Sequence, residues 1–146
     1  MHPIAALASL GAILAWGSAA IFDKLAVGHF KSPWSAMVLR ATFAWVFVVS
    51  GASVAGAVRG AFSVPRVAFL AMAASGLLGG FLGTLLYYVA VRFEEVSRVV
   101  PVTATYPVVA FILGALFLRE SVTVPKVAGL VLIVAGLALV TSSRGS

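Results

Sequence analysis

Residues 92–126 read RFEEVSRVVPVTATYPVVAFILGALFLRESVTVPK: charged residues, an uncharged span from Val99 to Leu118, then charged residues again. At about 1.5 Å per residue such a span covers roughly 30 Å, the thickness of a bilayer's hydrocarbon core, so it reads as one membrane crossing. Its halves differ. The second, AFILGALFL, is apolar, whereas the first carries Pro101, Thr103, Thr105, Tyr106 and Pro107. A proline at 107 cannot donate to the Thr103 carbonyl, nor one at 101 to that of Ser97, so two carbonyls lose their helical partners. Backbone freed at membrane depth must be covered by protein or line a wet cavity. The proline-rich half is therefore the first candidate for the working part, with Pro101 and Pro107 as its hinge.

Composition agrees with a membrane setting. Hydrophobic residues make up 62% of the 146 residues and charged ones 10%, and the mean hydropathy is +1.15, far from the profile of a soluble domain. The absence of cysteine excludes disulfides and thiolate chemistry. The formal charge of +6 comes from basic residues scattered singly at span ends, as topology and snorkelling require, so nucleic acid is not expected as a partner. The N-terminus, MHPIAALASLGAILAW, lacks the basic start of a signal peptide and reads as the first span. The SSRGS tail is short and polar.

Five spans follow, near 4–22, 34–58, 67–91, 99–118 and 127–140. All are helices, because lipid satisfies no open strand edge. Loops of a few residues make consecutive helices antiparallel neighbours. The expected fold is an all-α membrane protein: one compact bundle of five transmembrane helices, a single domain over 1–146, without linker or internal repeat. An odd number of spans puts the termini on opposite sides, here A for the first residues and B for the other. Spans three and five open alike, with Ser63-Val-Pro65-Arg66 and Thr123-Val-Pro125-Lys126, each a hydroxyl able to cap free amides before a first-turn proline.

Small and polar residues locate contacts and a candidate site. Gly76, Gly80 and Gly83 form one stripe at about 100° per residue, continued by Tyr87, and suit close helix packing or a groove. Gly129 and Gly136 lie nearly on one face of the fifth span, where a packing or dimer contact is expected. Trp16, Arg40, Tyr87, Tyr88, Thr103 and Tyr106 all fall in the B half of their spans. A polar and aromatic recess opening toward B follows, of the kind a small-molecule site needs. Each residue also has a plainer role. The aromatics suit a membrane belt or core, Arg40 can snorkel or pair with Asp23, Glu94 or Glu95, and the threonines can bond carbonyls one turn back. There is no catalytic constellation, metal-ligand spacing or phosphate-cradling loop. Neither an enzyme nor a cofactor is expected.

These residues carry a resemblance. Trp16-Gly17, Arg40-Ala-Thr-Phe43, Leu86-Tyr87-Tyr88-Val-Ala90 and the proline-centred stretch from Pro101 to Glu120, followed by VTVPKVAGLVLIVAGLALV, resemble one EamA-type domain of the drug/metabolite transporter superfamily along the whole chain. Such domains usually occur as tandem, automatically inverted pairs. Here there is one copy, half of an inverted-repeat transporter fold. The resemblance implies transport or export of small metabolites in a bacterial or archaeal cytoplasmic membrane, with the site near Trp16, Arg40, Tyr87, Thr103 and Tyr106.

The chain also looks like the four-span small multidrug exporters in scale, yet it departs from their embedded first-helix glutamate. Asp23, Glu94, Glu95 and Glu120 all sit at the expected span ends, which disfavours proton antiport of cationic drugs and favours neutral, zwitterionic or amphipathic solutes such as amino acids. Side A carries Arg59, Arg66, Arg119 and Lys126, and side B carries Lys24, Lys31, Arg92, Arg98 and Arg144, too even a split to fix orientation. An antiparallel homodimer of oppositely inserted chains would supply the inverted mate. A non-transporting subunit of a heteromeric complex and a flippase for lipid-linked headgroups are the other readings.

Overall fold

The computed structural model describes residues 2–142, which contain helices and turns and no strand. Five stretches are long and apolar enough to cross a membrane: Pro3–Val27, Pro33–Val54, Arg66–Phe93, Val96–Phe117 and Val124–Ser142. Of the polar tail, Ser142 ends the last of these stretches, and residues 143–146, Arg144 among them, lie outside the described residues.

Helix α1 (Pro3–Val27) starts on a proline, whose missing N–H would have no partner in a first turn anyway, and the His2 ring nitrogen Nδ1 accepts from the Ile4 N–H at 3.3 Å. It does not stop at Phe22, where the sequence pattern ends the span. It continues through Asp23 and Lys24 to Val27. Helix α2 (Pro33–Val54) is capped by the Ser32 hydroxyl, which accepts from the Trp34 N–H at 3.3 Å. It ends before the expected Val58, because Gly56 turns the chain at φ 66°, a left-handed conformation that glycine adopts without strain. One turn of helix, α3 (Val58–Ala61), leads to the third crossing.

That crossing has three parts: α4 (Arg66–Ser75), a π-helical segment (Gly76–Gly83) and α5 (Thr84–Phe93). Its start departs from the expected cap. The Ser63 hydroxyl donates back to the Arg59 carbonyl at 3.2 Å, and α4 begins after Pro65 with no side-chain cap. The fourth crossing is two helices, α6 (Val96–Thr103) and α7 (Tyr106–Phe117), and the fifth is α8 (Val124–Ser142).

These elements form two compact units, Met1–Phe93 and Glu94–Ser146. In the first, α5 packs on α2 and α1. The most buried residues of this unit, Ala20 and Val27 of α1, Ala36 of α2, and Tyr88 and Val91 of α5, lie toward the B ends of their helices. Small alanines let the backbones approach there, and the large apolar residues elsewhere point outward, as a lipid solvent allows. Two cations staple the same end: Lys24 Nζ donates to the Val91 carbonyl at 2.8 Å, and Arg92 Nη1 to the Lys31 carbonyl at 3.0 Å. The Trp34 ring lies 5.6 Å from that of Phe81 in the π segment.

In the second unit α6 packs on α8. Helix α7 closes with the Glu120 N–H bonding the Gly114 carbonyl at 3.2 Å, and Arg119 takes the left-handed position at φ 54°. An apolar groove of about 390 Å³ runs along Val108, Val127, Val131 and Val134.

Candidate functional site

Asp23, Arg40 and Tyr88 come from three different helices and meet where the first unit is best packed. The continuation of α1 past Phe22 puts Asp23 one turn inside the helix end. Arg40 lies two turns into α2, and Tyr88 in the second turn of α5. The Tyr88 hydroxyl donates to Asp23 Oδ1 at 2.7 Å, the length of a charge-assisted bond. Arg40 Nε stands 3.7 Å from the same oxygen, and its guanidinium carbon 5.9 Å from the Tyr88 ring centroid.

The charges balance without saturating each other. The Asp23 side chain is 13% exposed and that of Arg40 45%. An enclosed carboxyl group needs hydrogen-bond donors or a cation beside it, and Asp23 has both. The Arg40 contact is an ion pair too long for a hydrogen bond, so the guanidinium fork keeps donors for a further acceptor. A recess of about 190 Å³ lies against the three side chains, walled by Phe22, Val27, Phe30, Leu39 and Phe43. Pockets for drug-sized ligands run from about 300 Å³ upward, so this one suits a small metabolite or the polar head of a larger one.

Beside it the Tyr87 ring centroid is 5.9 Å from that of Tyr88, and the Tyr87 hydroxyl is buried without a hydrogen-bond partner among the described residues. Trp16 precedes Asp23 by two turns, so it shares the same face of α1 further toward side A, and it is 66% exposed. Thr103 and Tyr106 belong to the second unit. The Thr103 hydroxyl donates to the carbonyls of Val99 and Val100, each at 3.0 Å, and Tyr106 is 62% exposed at the start of α7. Of the expected recess residues, Arg40 and Tyr88 meet through Asp23, which the sequence offers as a partner for Arg40 but not as part of the site. A charged residue after an apolar run reads as a span end, which places Asp23 outside the first helix, whereas α1 runs through it. The signal for Asp23 was the spacing from Trp16, which keeps both on one helix face.

Two expectations change with the backbone. The fourth span is interrupted at Ala104 and Thr105, upstream of Pro107, which occupies the first turn of α7 while Pro101 lies within α6. The 100° wheel that aligns Gly76, Gly80 and Gly83 with Tyr87 does not hold through a π-helical segment, whose bonds reach one residue further. A Cβ at Gly76, Gly80, Gly129 or Gly136 would meet nothing within 4 Å, and one at Gly83 would meet only the Leu78 carbonyl oxygen of its own segment at 3.1 Å.

Comparison with known proteins follows the same lines. Residues 3–142 match the EamA-like transporter family. An uncharacterized transporter of Bacillus subtilis, YvbV, is 26% identical over 140 residues, which is 95% of this chain and 45% of that protein. An uncharacterized protein of Methanocaldococcus jannaschii is 39% identical over 63 residues, 43% of this chain and 46% of its own. The match thus spans under half the length of either relative. No solved structure matches the chain.

Proposed function

The chain belongs to the EamA-like transporter family, and from that premise we propose that it carries small neutral, zwitterionic or amphipathic metabolites across a bacterial or archaeal cytoplasmic membrane. The observation that carries this reading is the junction of Asp23, Arg40 and Tyr88 against an apolar recess. One carboxylate and one incompletely satisfied guanidinium stand side by side, so the recess offers a partner to either sign of charge on a small solute. The embedded carboxylate also removes the reason for excluding a coupled proton, since Asp23 lies inside a helix and not beyond it.

The working unit is an antiparallel homodimer. A single copy with its site at one end opens toward one side, and an oppositely inserted copy restores the symmetry that tandem relatives gain by duplication. Gly76, Gly80, Gly129 and Gly136, where an added Cβ would meet nothing within 4 Å among the described residues, leave backbone open for that second copy.

Two experiments test the reading. Thermal unfolding of the purified chain in micelles, run against a panel of amino acids, nucleosides and amphipathic amines, should show stabilisation by at least one class. Arg40→Gln should abolish it, and stabilisation that survives Arg40→Gln places the solute elsewhere. Single cysteines at Gly60 and Glu94 should each be labelled from both faces of intact cells, whereas one-sided labelling rules out dual insertion.

A further inference from the structure

We propose that Tyr87 and Tyr88 are alternate hydrogen-bond partners of Asp23, exchanged when the π-helical segment from Gly76 to Gly83 tightens to an α-helix. The inference rests on the transport reading for its purpose, because the exchange would change the site as the carrier changes state. Its geometry stands without that reading.

The π-helical segment holds a surplus residue. A π turn closes from residue i to i+5, so a helix interrupted by one carries a residue more than an α-helix spanning the same two ends. Every residue beyond the segment therefore occupies the position that its predecessor would hold in a continuous α-helix. In the present state that position, facing α1 and α2, belongs to Tyr88, whose hydroxyl bonds Asp23 Oδ1 at 2.7 Å. In the continuous α state it belongs to Tyr87.

Three observations fit an exchange and not a fixed kink. The residue just before the bonded tyrosine is itself a tyrosine, so either register presents a phenol to the carboxylate. The Tyr87 hydroxyl is already buried and lacks a hydrogen-bond partner among the described residues, an arrangement that costs free energy unless another state relieves it. Gly76, Gly79, Gly80 and Gly83 supply four of the eight residues in the segment, and glycine favours the α conformation less than any residue but proline, so the segment is only weakly held to one winding. The Thr84 hydroxyl donates to the Gly79 carbonyl at 3.2 Å, five residues back, and so marks the π register at its C-terminal edge. Tyr87 is thereby a positioning residue: it holds Asp23 in the state that Tyr88 leaves.

Fluorine NMR reads the exchange directly in nanodiscs without any solute. The chain has three tyrosines. With 3-fluorotyrosine incorporated and Tyr106→Phe as background, two resonances remain, assigned by Tyr87→Phe and Tyr88→Phe. In the unmodified segment Asp23→Ala should move the Tyr88 resonance. In Gly79→Ala/Gly80→Ala, where a Cβ meets nothing within 4 Å and alanine favours the α form, the response to Asp23→Ala should leave Tyr88 and appear on Tyr87. Deleting Gly80 removes the surplus residue, so the response should stay on Tyr88. A response fixed on Tyr88 in the double alanine variant overturns the proposal, as does one that moves to Tyr87 in the deletion. Should the double variant fail to fold, Gly80→Ala alone must move part of the response to Tyr87 or the proposal fails. Resonances that exchange in a chain that moves no solute would retire the transport reading and leave the exchange standing.

Discussion

The third and fourth crossings are both interrupted near their middle, and they reach that state by opposite means. The third keeps its backbone donors and winds them one residue too wide across Gly76–Gly83. The fourth is missing donors at Pro101 and Pro107 and breaks at Ala104 and Thr105, where threonine hydroxyls bond carbonyls about one turn back: Thr105 donates to the Val102 carbonyl at 2.6 Å, Thr103 to those of Val99 and Val100. Proline removes a donor that cannot be restored without changing the residue, and here Pro107 stands in the first turn of the helix that follows the break. Glycine only permits an interruption. The fourth crossing is therefore bent by its own sequence, while the third holds its shape in part through what its far end binds.

That contrast has measurable consequences, the largest at the bound end of the third crossing. Tyr88→Phe removes a bond to a carboxylate and should lower stability in micelles by about 2 kcal/mol. Tyr87→Phe removes a buried hydroxyl with no partner among the described residues and should be neutral to slightly stabilising. Equal losses at 87 and 88 would mean that the Asp23 bond does not anchor the helix.

In the fourth crossing the decisive change is Pro107→Ala. It returns an N–H opposite the Thr103 carbonyl, a gain of about 1 kcal/mol, and amide exchange from Ala104 to Val108 should slow by roughly 5-fold. Turnover should fall if bending is part of the cycle. Unchanged exchange would show that Ala104 and Thr105 set the break without help from the proline.

The smallest effect lies at the end of the same crossing. Arg119 closes α7 in a left-handed conformation that glycine adopts freely. Relief of roughly 1 kcal/mol of strain is partly offset by the glycine's extra freedom when unfolded, so Arg119→Gly should raise stability by about 0.5 kcal/mol. A loss would mean that the arginine side chain makes a contact worth more than the strain.

The same difference explains what could be read in advance. Prolines and hydroxyls are side-chain facts, so the weak point of the fourth crossing was legible to within a few residues, and the five spans followed from charge and hydropathy. The π segment was not legible, because glycines at these spacings serve α packing equally well. Asp23 is legible as a partner for Arg40 but not as part of a site inside a helix. A charged residue reads as a span end, and Arg40 and Tyr88, which accompany it where α1 continues, are contributed by helices distant in sequence. Trp16, Thr103 and Tyr106 share only their depth with Arg40 in the sequence, and depth does not say which way a side chain turns.

The central claim is that this chain alone moves solute through a site built on Asp23 and Arg40. Solute counterflow in liposomes containing only the purified chain tests it most directly, with Arg40→Gln in parallel. Saturable exchange above that of empty liposomes, lost in Arg40→Gln while the variant still inserts and folds, is the expected result. Counterflow no greater than that of empty liposomes would contradict it, and the chain would then be a subunit that waits for a different partner.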